Sequence, residues 1–209
     1  MKARISAVLI AVSAALVSTS GLAAGRNGPP SPRGLCCTAA TVVQPINQAE
    51  TAALLWLREE EKLARDVYLA LGNQWQDGVF NRIATAEQRH FDAIGATIAL
   101  FALTDPAQAG TGQFMNADLQ ALYYDLLADG GQSYAQALVV GATIEDLDMR
   151  DLQGALAATS NPALQTTYRN LLESSKNHLR MFVLQLRSLG QDYTPQYIAP
   201  VLFDAILGN

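Results

Sequence analysis

The sequence predicts an all-α protein: an up-down bundle of four long helices in two hairpins, joined by one long crossover that carries a short extra helix. Three observations predict it. Half of the 209 residues are hydrophobic, with Ala and Leu dominating, a set that favours helices over strands. Proline is absent between Ile46 and Asp105 and again between Ala107 and Asn161. Long helices need such gaps, because an interior proline costs roughly 3 kcal/mol. Apolar residues recur at spacings of three and four in four segments, and no run of alternating β-branched residues bounded by turns is present. The length suits one well-packed domain.

The chain begins with the basic Met1-Lys2-Ala3-Arg4, continues with the uncharged apolar run Ile5 to Val17, and reaches small residues over Ser18 to Gly25. This three-part layout reads as a secretory signal peptide over 1–24, cleaved near Ala23 or Ala24. It predicts a periplasmic or secreted protein. No later stretch is apolar and long enough to span a bilayer, so no membrane contact is expected after cleavage. Residues 25–45 read as a flexible linker, with Pro29, Pro30 and Pro32 close together. The linker holds Cys36-Cys37, the only cysteines. Export implies an oxidising compartment, so a disulfide of some kind is expected, either vicinal or bridging a homodimer. Adjacent cysteines lack the C-x-x-C spacing of a zinc or redox motif.

The helical domain is expected over 46–209. Asn47 with Glu50 resembles a capping box, and opens a first helix over about 48–74. Leu54, Leu57, Glu61, Ala64, Tyr68 and Leu71 form its buried face. Asp77-Gly78 breaks the chain. A second helix over about 79–103 presents Phe80, Ile83, Glu87, His90, Ile94 and Ile98, and Asp105-Pro106 is expected to stop it. After a loop over 107–111, a short helix is predicted over 116–128, ended by Gly130-Gly131. The third long helix starts at the Ser133-x-x-Gln136 box and runs to about Ala158, with Leu138, Ala142, Glu145, Met149 and Leu152 inward. Asn161 caps the fourth, and Pro162 takes its first position, where the missing N–H does no harm. Leu164, Tyr168, Leu171, Ser175, His178 and Phe182 share one face, ending near Leu189-Gly190. The tail from Gln191 is expected to pack back through Tyr193, Tyr197 and Phe203. Hairpin, long crossover, hairpin is the connectivity of the one-crossover, ferritin-like bundle.

Each long helix places a polar group where a core residue is expected: Glu61 (with Glu60 one step round), Glu87 with His90, Glu145, and His178. His90 and His178 are the only histidines. An i, i+3 Glu/His pair points both side chains at one volume. Burying a lone carboxylate is costly, and a bound cation offsets that cost. Carboxylate with imidazole suits iron, manganese or zinc better than copper(I). Singly, each residue has an ordinary structural reading. Glu59-Glu60-Glu61 with Lys62 and Arg65 reads as a solvated face, Glu145 beside Asp146 and Asp148 as surface, and His178 as a core histidine bonded to a carbonyl. Matching depth in four helices favours a shared site.

Leu55-Trp56-Leu57-Arg58-Glu59-Glu60-Glu61-Lys62-Leu63-Ala64-Arg65-Asp66-Val67-Tyr68 resembles the opening helix of an uncharacterised branch of the ferritin-like superfamily, related to the rubrerythrins. Ile83-Ala84-Thr85-Ala86-Glu87-Gln88-Arg89-His90, the run from Gly141 to Asp148, Asn177-His178-Leu179-Arg180-Met181-Phe182 and Tyr193-Thr194-Pro195-Gln196-Tyr197 resemble its later motifs. The resemblance covers about 48–207. It implies a metal site in which Glu61, Glu87, His90 and Glu145 take the roles of the ligands on the first three long helices. Tyr68, seven residues after Glu61, matches a tyrosine of those relatives and would orient a ligand or carry an electron. Aligning Arg65-Asp66 with Arg150-Asp151 instead pairs Glu60 with Glu145, which leaves Glu60 and Glu61 as alternatives. On the fourth helix the pattern places a Glu three residues before His178, where this chain has Ser175. Glu173 lies on the polar face, and Asp148, a turn below Glu145, is the substitute at hand. A di-iron site of asymmetric ligation, a single-metal site and an empty relic all fit this set. No C-x-x-C pair is present for a rubredoxin-type iron centre.

The resemblance therefore implies an iron-dependent oxidoreductase or ferroxidase-like protein of the cell envelope, with manganese or zinc as alternative metals. The alternative is a binding or scaffold module that kept the bundle and lost the chemistry. A net charge of −5, made more negative by removal of Lys2 and Arg4 with the leader, disfavours nucleic acid and anionic lipid as partners. No nucleophile elbow, phosphate-binding glycine loop or His-Glu-x-x-His motif is present, so hydrolase, kinase and metalloprotease chemistry have no support.

Overall fold

The structure is a computed structural model that describes residues 44–208. The expected leader over 1–24 and Cys36-Cys37 of the expected linker lie outside the described residues. Among the described residues there are six helices and no strand: α1 (Gln48–Trp75), α2 (Gly78–Leu100), α3 (Ala117–Gly130), α4 (Tyr134–Ala158), α5 (Pro162–Ser188) and α6 (Pro200–Leu207). None of them is long and apolar enough to cross a membrane.

Helix α1 lies along α2, and α4 lies along α5. Helix α1 also packs on α4 and α2 on α5, whereas α1 and α5, like α2 and α4, make no close backbone approach. The axis enclosed by the four long helices is therefore filled by side chains. Helix α3 lies against α1 and α4, and α6 against α5.

Local chemistry explains most boundaries. Asn47 and Glu50 form a reciprocal capping box at 2.9 Å each way. Asp77, Asn116, Ser133 and Asn161 each accept a backbone N–H at the start of the following helix, satisfying donors that the helix itself cannot. The end of α2 differs from expectation. It stops at Leu100, not near Leu103, because Ala102 adopts a left-handed φ of 53°. The N–H of Leu103 donates to Ile98 and that of Ala102 to Ala99, the two bonds of a Schellman cap. Glycine normally occupies that position, so the sequence carries no stop signal there. Helix α6, which the tail reading did not anticipate, begins at Pro200 and buries Phe203 and Ile206.

The predicted inward faces are buried along all four long helices. The charged run of α1 is the correction: Arg58, Glu59, Glu60, Glu61 and Lys62 are all buried, not solvated. Four of α1's charged residues hold the crossover. Arg58 forks onto Asp105 and stacks on Phe91. Glu59 accepts from the N–H groups of Met115 and Asn116 at 2.6 and 3.0 Å. Lys62 donates to Asp66 and to the carbonyl of Gly110, and Asp66 accepts from the N–H of Gly112. A loop packed on a core needs partners for its own backbone groups, and these side chains supply them. Asp146 is likewise buried and not on the surface, with its carboxylate wrapped by the tail.

Gly141 sets how closely α4 meets the aromatic core. A Cβ there would lie 2.6 Å from the ring of Phe182, which is wedged between Tyr68 and Phe80 at centroid distances of 5.3 and 5.4 Å. Gly141→Ala is expected to destabilise the fold by about 1–3 kcal/mol through overpacking. Urea denaturation reads this as a lower midpoint at unchanged slope.

Candidate metal centre

Glu61 on α1, Glu87 and His90 on α2, Glu145 on α4 and His178 on α5 meet on the enclosed axis, each no more than 7% exposed. They form two groups of three. Candidate ligand atoms of Glu61, Glu87 and His90 lie within 4.8 Å of one another, and those of Glu87, Glu145 and His178 do the same. Glu87 belongs to both. Its Oε2 is 2.7 Å from Nδ1 of His90, and its Oε1 is 2.7 Å from Nδ1 of His178. Glu61 Oε2 stands 3.3 Å from His90 Nδ1, and Glu145 Oε2 stands 3.5 Å from His178 Nδ1. The two imidazoles are stacked, with centroids 5.5 Å apart. His178 thus faces carboxylates, not the carbonyl of an ordinary core histidine.

The contact between His178 and Glu87 has the distance of a hydrogen bond but not its direction, so both atoms stay unsatisfied. Glu61 Oε1 and Asp148 Oδ1 are also buried without a partner. Glu61, Glu87 and Asp148 thus each keep one buried oxygen unpartnered beside the two imidazoles, a set that a cation would satisfy.

The electrostatics are those of a crowded anionic core. Burial pushes the Glu61 carboxyl well up, with the Asp148 charge adding to it, and contact with His90 opposing. Burial and the charge of Glu87 raise Glu145. Burial and the charge of Glu145 push Asp148 up to about 8. For Glu87, burial is outweighed by the contacts from His178 and His90, and the carboxyl falls below its ordinary range. Burial would lower both histidines, but the carboxylates prevail: Glu61 and Glu87 hold His90 at about 11, and Glu145 and Glu87 hold His178 at about 10.

The remaining candidates fall into place around this core. Tyr68 is fully buried, and its hydroxyl donates to Glu145 Oε1 at 2.7 Å, which fixes how that carboxylate faces His178. Asp148 is 6% exposed and borders Glu61, Glu87 and His90 electrostatically, without joining either group of three. Glu60 also joins neither group, so of the two alternatives it is Glu61 that reaches His90. Glu60's charged neighbours are Asp151, Asp148, Glu61 and Arg150. Ser175 is buried and donates to the carbonyl of Leu171, while Glu173 is exposed and pairs with Lys176. Sequence reasoning missed Ser174, whose hydroxyl lies 3.2 Å from Nε2 of His178. Its i, i+4 spacing to the histidine was the available signal. A bond at the far nitrogen orients the ring and fixes which nitrogen faces the site.

The match to the family model described as an uncharacterized protein domain, DUF2202, extends over residues 50–209. The chain is 42% identical over 167 residues to the uncharacterized protein MJ0754 of Methanocaldococcus jannaschii, covering 79% of this chain and 90% of that protein. The crystal structure titled as hypothetical protein MJ0754 from Methanococcus jannaschii superposes with a TM-score of 0.78 at 42% identity, over 79% of this chain and 95% of that one. On the family match and this identity, the chain belongs to the DUF2202 domain family.

Proposed function

We propose that this protein is an exported, ferritin-like four-helix bundle that holds two iron ions in its core and acts as a ferroxidase-like oxidoreductase. Manganese and zinc are the alternative occupants. The observation that carries the reading is Glu87, with one carboxylate oxygen 2.7 Å from each of two histidines on different helices. A carboxylate shared in this way, flanked by Glu61 with His90 and by Glu145 with His178, suits a pair of cations of intermediate hardness. The one-crossover order of the helices supports the same reading. The leader expected over 1–24 is what supports export, to the periplasm or outside the cell.

Iron bound there would supply one-electron chemistry toward dioxygen or peroxide. The chain's own residues do the rest. His90 and His178 present Nδ1, Ser174 steadies the second ring, and Tyr68 orients Glu145. Tyr68, Phe80 and Phe182 pack as a buried aromatic cluster that holds the Tyr68 ring in place.

A second reading, a non-enzymatic envelope module with a degenerate site, draws on Ser175. Its hydroxyl is committed to the Leu171 carbonyl, where the resembling families carry a carboxylate. Metal content after iron loading, followed by the rate of Fe(II) oxidation in air, separates the two. Two irons per chain with rapid oxidation are expected. A folded helical protein that takes up no metal would retire the enzyme and leave the scaffold.

Loading also has a proton signature. With His90 and His178 held at about 11 and 10, both rings are protonated at pH 7 in the metal-free protein. A cation at Nδ1 displaces that proton, and burial has raised the ligand carboxyls Glu61 and Glu145 as well, so loading should release at least about two protons per chain, and affinity should rise with pH. Without metal, the stability due to the raised histidines is fully present below about pH 6.5 and lost as pH climbs through their folded values. Asp148, raised to about 8, destabilises in the same direction as pH rises from about 4 to 8. Glu87, lowered, contributes stability above its ordinary range that fades only in acid. The melting temperature in chelator is therefore expected to fall steadily from pH 6 to 10. A flat profile would contradict the charged histidine pair.

A further inference from the structure

Glu60 is the charged residue that neither the crossover contacts nor the proposed centre explains. It is 3% exposed, and neither of its carboxylate oxygens has a hydrogen bond. Its charged neighbours in α1 do have partners: Arg58 on Asp105, Glu59 on two N–H groups, Lys62 on Asp66. Asp148, across the α1–α4 contact, likewise has an oxygen buried without a partner. Burial pushes both carboxyls toward the neutral form, and a cation that displaced their protons would find oxygen ligands with no competing partner.

Their placement gives the direction such a cation would take. Glu60 adjoins Glu61 in the chain, and Asp148 lies one helical turn from Glu145, so the pair borders the centre. Asp151, one further turn along α4 from Asp148, and Arg150 also act on Glu60 through their charges. Exposure rises outward: 2% for Glu61, 3% for Glu60, 6% for Asp148, then 19% and 29% for the side chains of Asp151 and Arg150. At the outer end Arg150 pairs with Asp151 at 2.6 Å and lies over the half-buried ring of Tyr197.

We propose that Glu60 and Asp148, with Asp151 at the mouth, form a transfer site that passes divalent cations between solvent and the Glu61–Glu87–His90 group. This rests on the reading of that group as a cation site. The donor chemistry suits passage and not residence. Glu60 and Asp148 offer oxygen alone, and transition metals prefer the mixed carboxylate and imidazole set just beyond. Arg150 beside them competes for the same carboxylates and shortens any stay.

Co(II), added alone to the metal-free protein, is the probe; its visible absorption reports arrival at the imidazole-bearing centre in stopped flow. Glu60→Gln and Asp151→Asn should each slow uptake by about tenfold, the low end of what a focusing charged path contributes. Release into excess chelator should slow in parallel, since a path serves both directions, and Co(II) per chain at saturation should stay near wild type. Burial pushes the Glu60 carboxyl well up toward its neutral form, which Gln matches in shape, so Glu60→Gln is expected to melt no lower than wild type; Asp151→Asn sits at the partly exposed end. Wild-type rates in both variants would overturn the transfer role. Loss of Co(II) at saturation in Glu60→Gln would overturn it differently, by making Glu60 a resident ligand. A wild-type protein that takes up no Co(II) would overturn the centre itself, a result distinct from either.

Discussion

Glu87→Ala is expected to empty both halves of the proposed centre at once. His90→Ala and His178→Ala each remove a ligand from one group of three, whereas Glu87 belongs to both. Bound metal per chain should fall from two to none, and affinity should drop by more than the roughly 10- to 100-fold typical of an outer-shell partner. The same change tests the metal-free fold. Glu87 is the common partner of two buried histidines at 2.7 Å each. Removing one side of a buried ion pair costs about 3–5 kcal/mol, because the remaining charge is left uncompensated. Without Glu87 the histidines lose much of what holds them protonated, so the fall in stability should be accompanied by a flatter pH profile above pH 7. Metal analysis by mass spectrometry and thermal denaturation in chelator read the two effects separately. Two metals retained by Glu87→Ala would sink the shared-carboxylate reading.

Asp146→Ala should release the C-terminal tail. The carboxylate, fully buried in α4, accepts from the Tyr193 hydroxyl at 2.8 Å and from the backbone N–H groups of Gln196, Tyr197 and Ile198 at 2.6, 3.1 and 2.8 Å. One side chain thus satisfies a turn of chain that makes no helix of its own. Alanine leaves four donors against an apolar surface, at about 1–3 kcal/mol for each that stays buried. The tail escapes most of that cost by detaching, so the expected loss is about 3–5 kcal/mol in global stability. Amide exchange over 193–198 should accelerate far more than exchange in α4. Protection of those amides at wild-type levels would show that the docking of Tyr193, Phe203 and Ile206 holds the tail without the carboxylate.

The periodic faces were the readable part of this fold. Leu54, Leu57, Glu61, Ala64, Tyr68 and Leu71 are buried because side chains three and four apart lie on one side of any helix, whatever it meets. The caps at Asn47, Ser133 and Asn161 were readable for the same reason, since a capping side chain serves the residues two or three positions on; Asp77, read only as a chain break, and Asn116, read as the first residue of its helix, are caps as well. Glu87-x-x-His90 was visible as an i, i+3 pair. The end of α2 was not, because Ala102 carries a left-handed turn that glycine usually signals.

By itself, then, the sequence determined which periodic faces turn inward and where most helices begin, because those properties depend on neighbours within a turn or two. Only the tertiary structure decided what becomes of a charge once it is inside. Glu59, Glu60 and Glu61 are consecutive and chemically alike, yet one holds the crossover, one stands unpartnered between α1 and α4, and one faces His90. Each outcome is set by a partner 29 to 57 positions away or by the lack of one. The energy of a buried carboxylate depends on which charge or donor lies within a few ångströms, and distance along the chain carries no record of that.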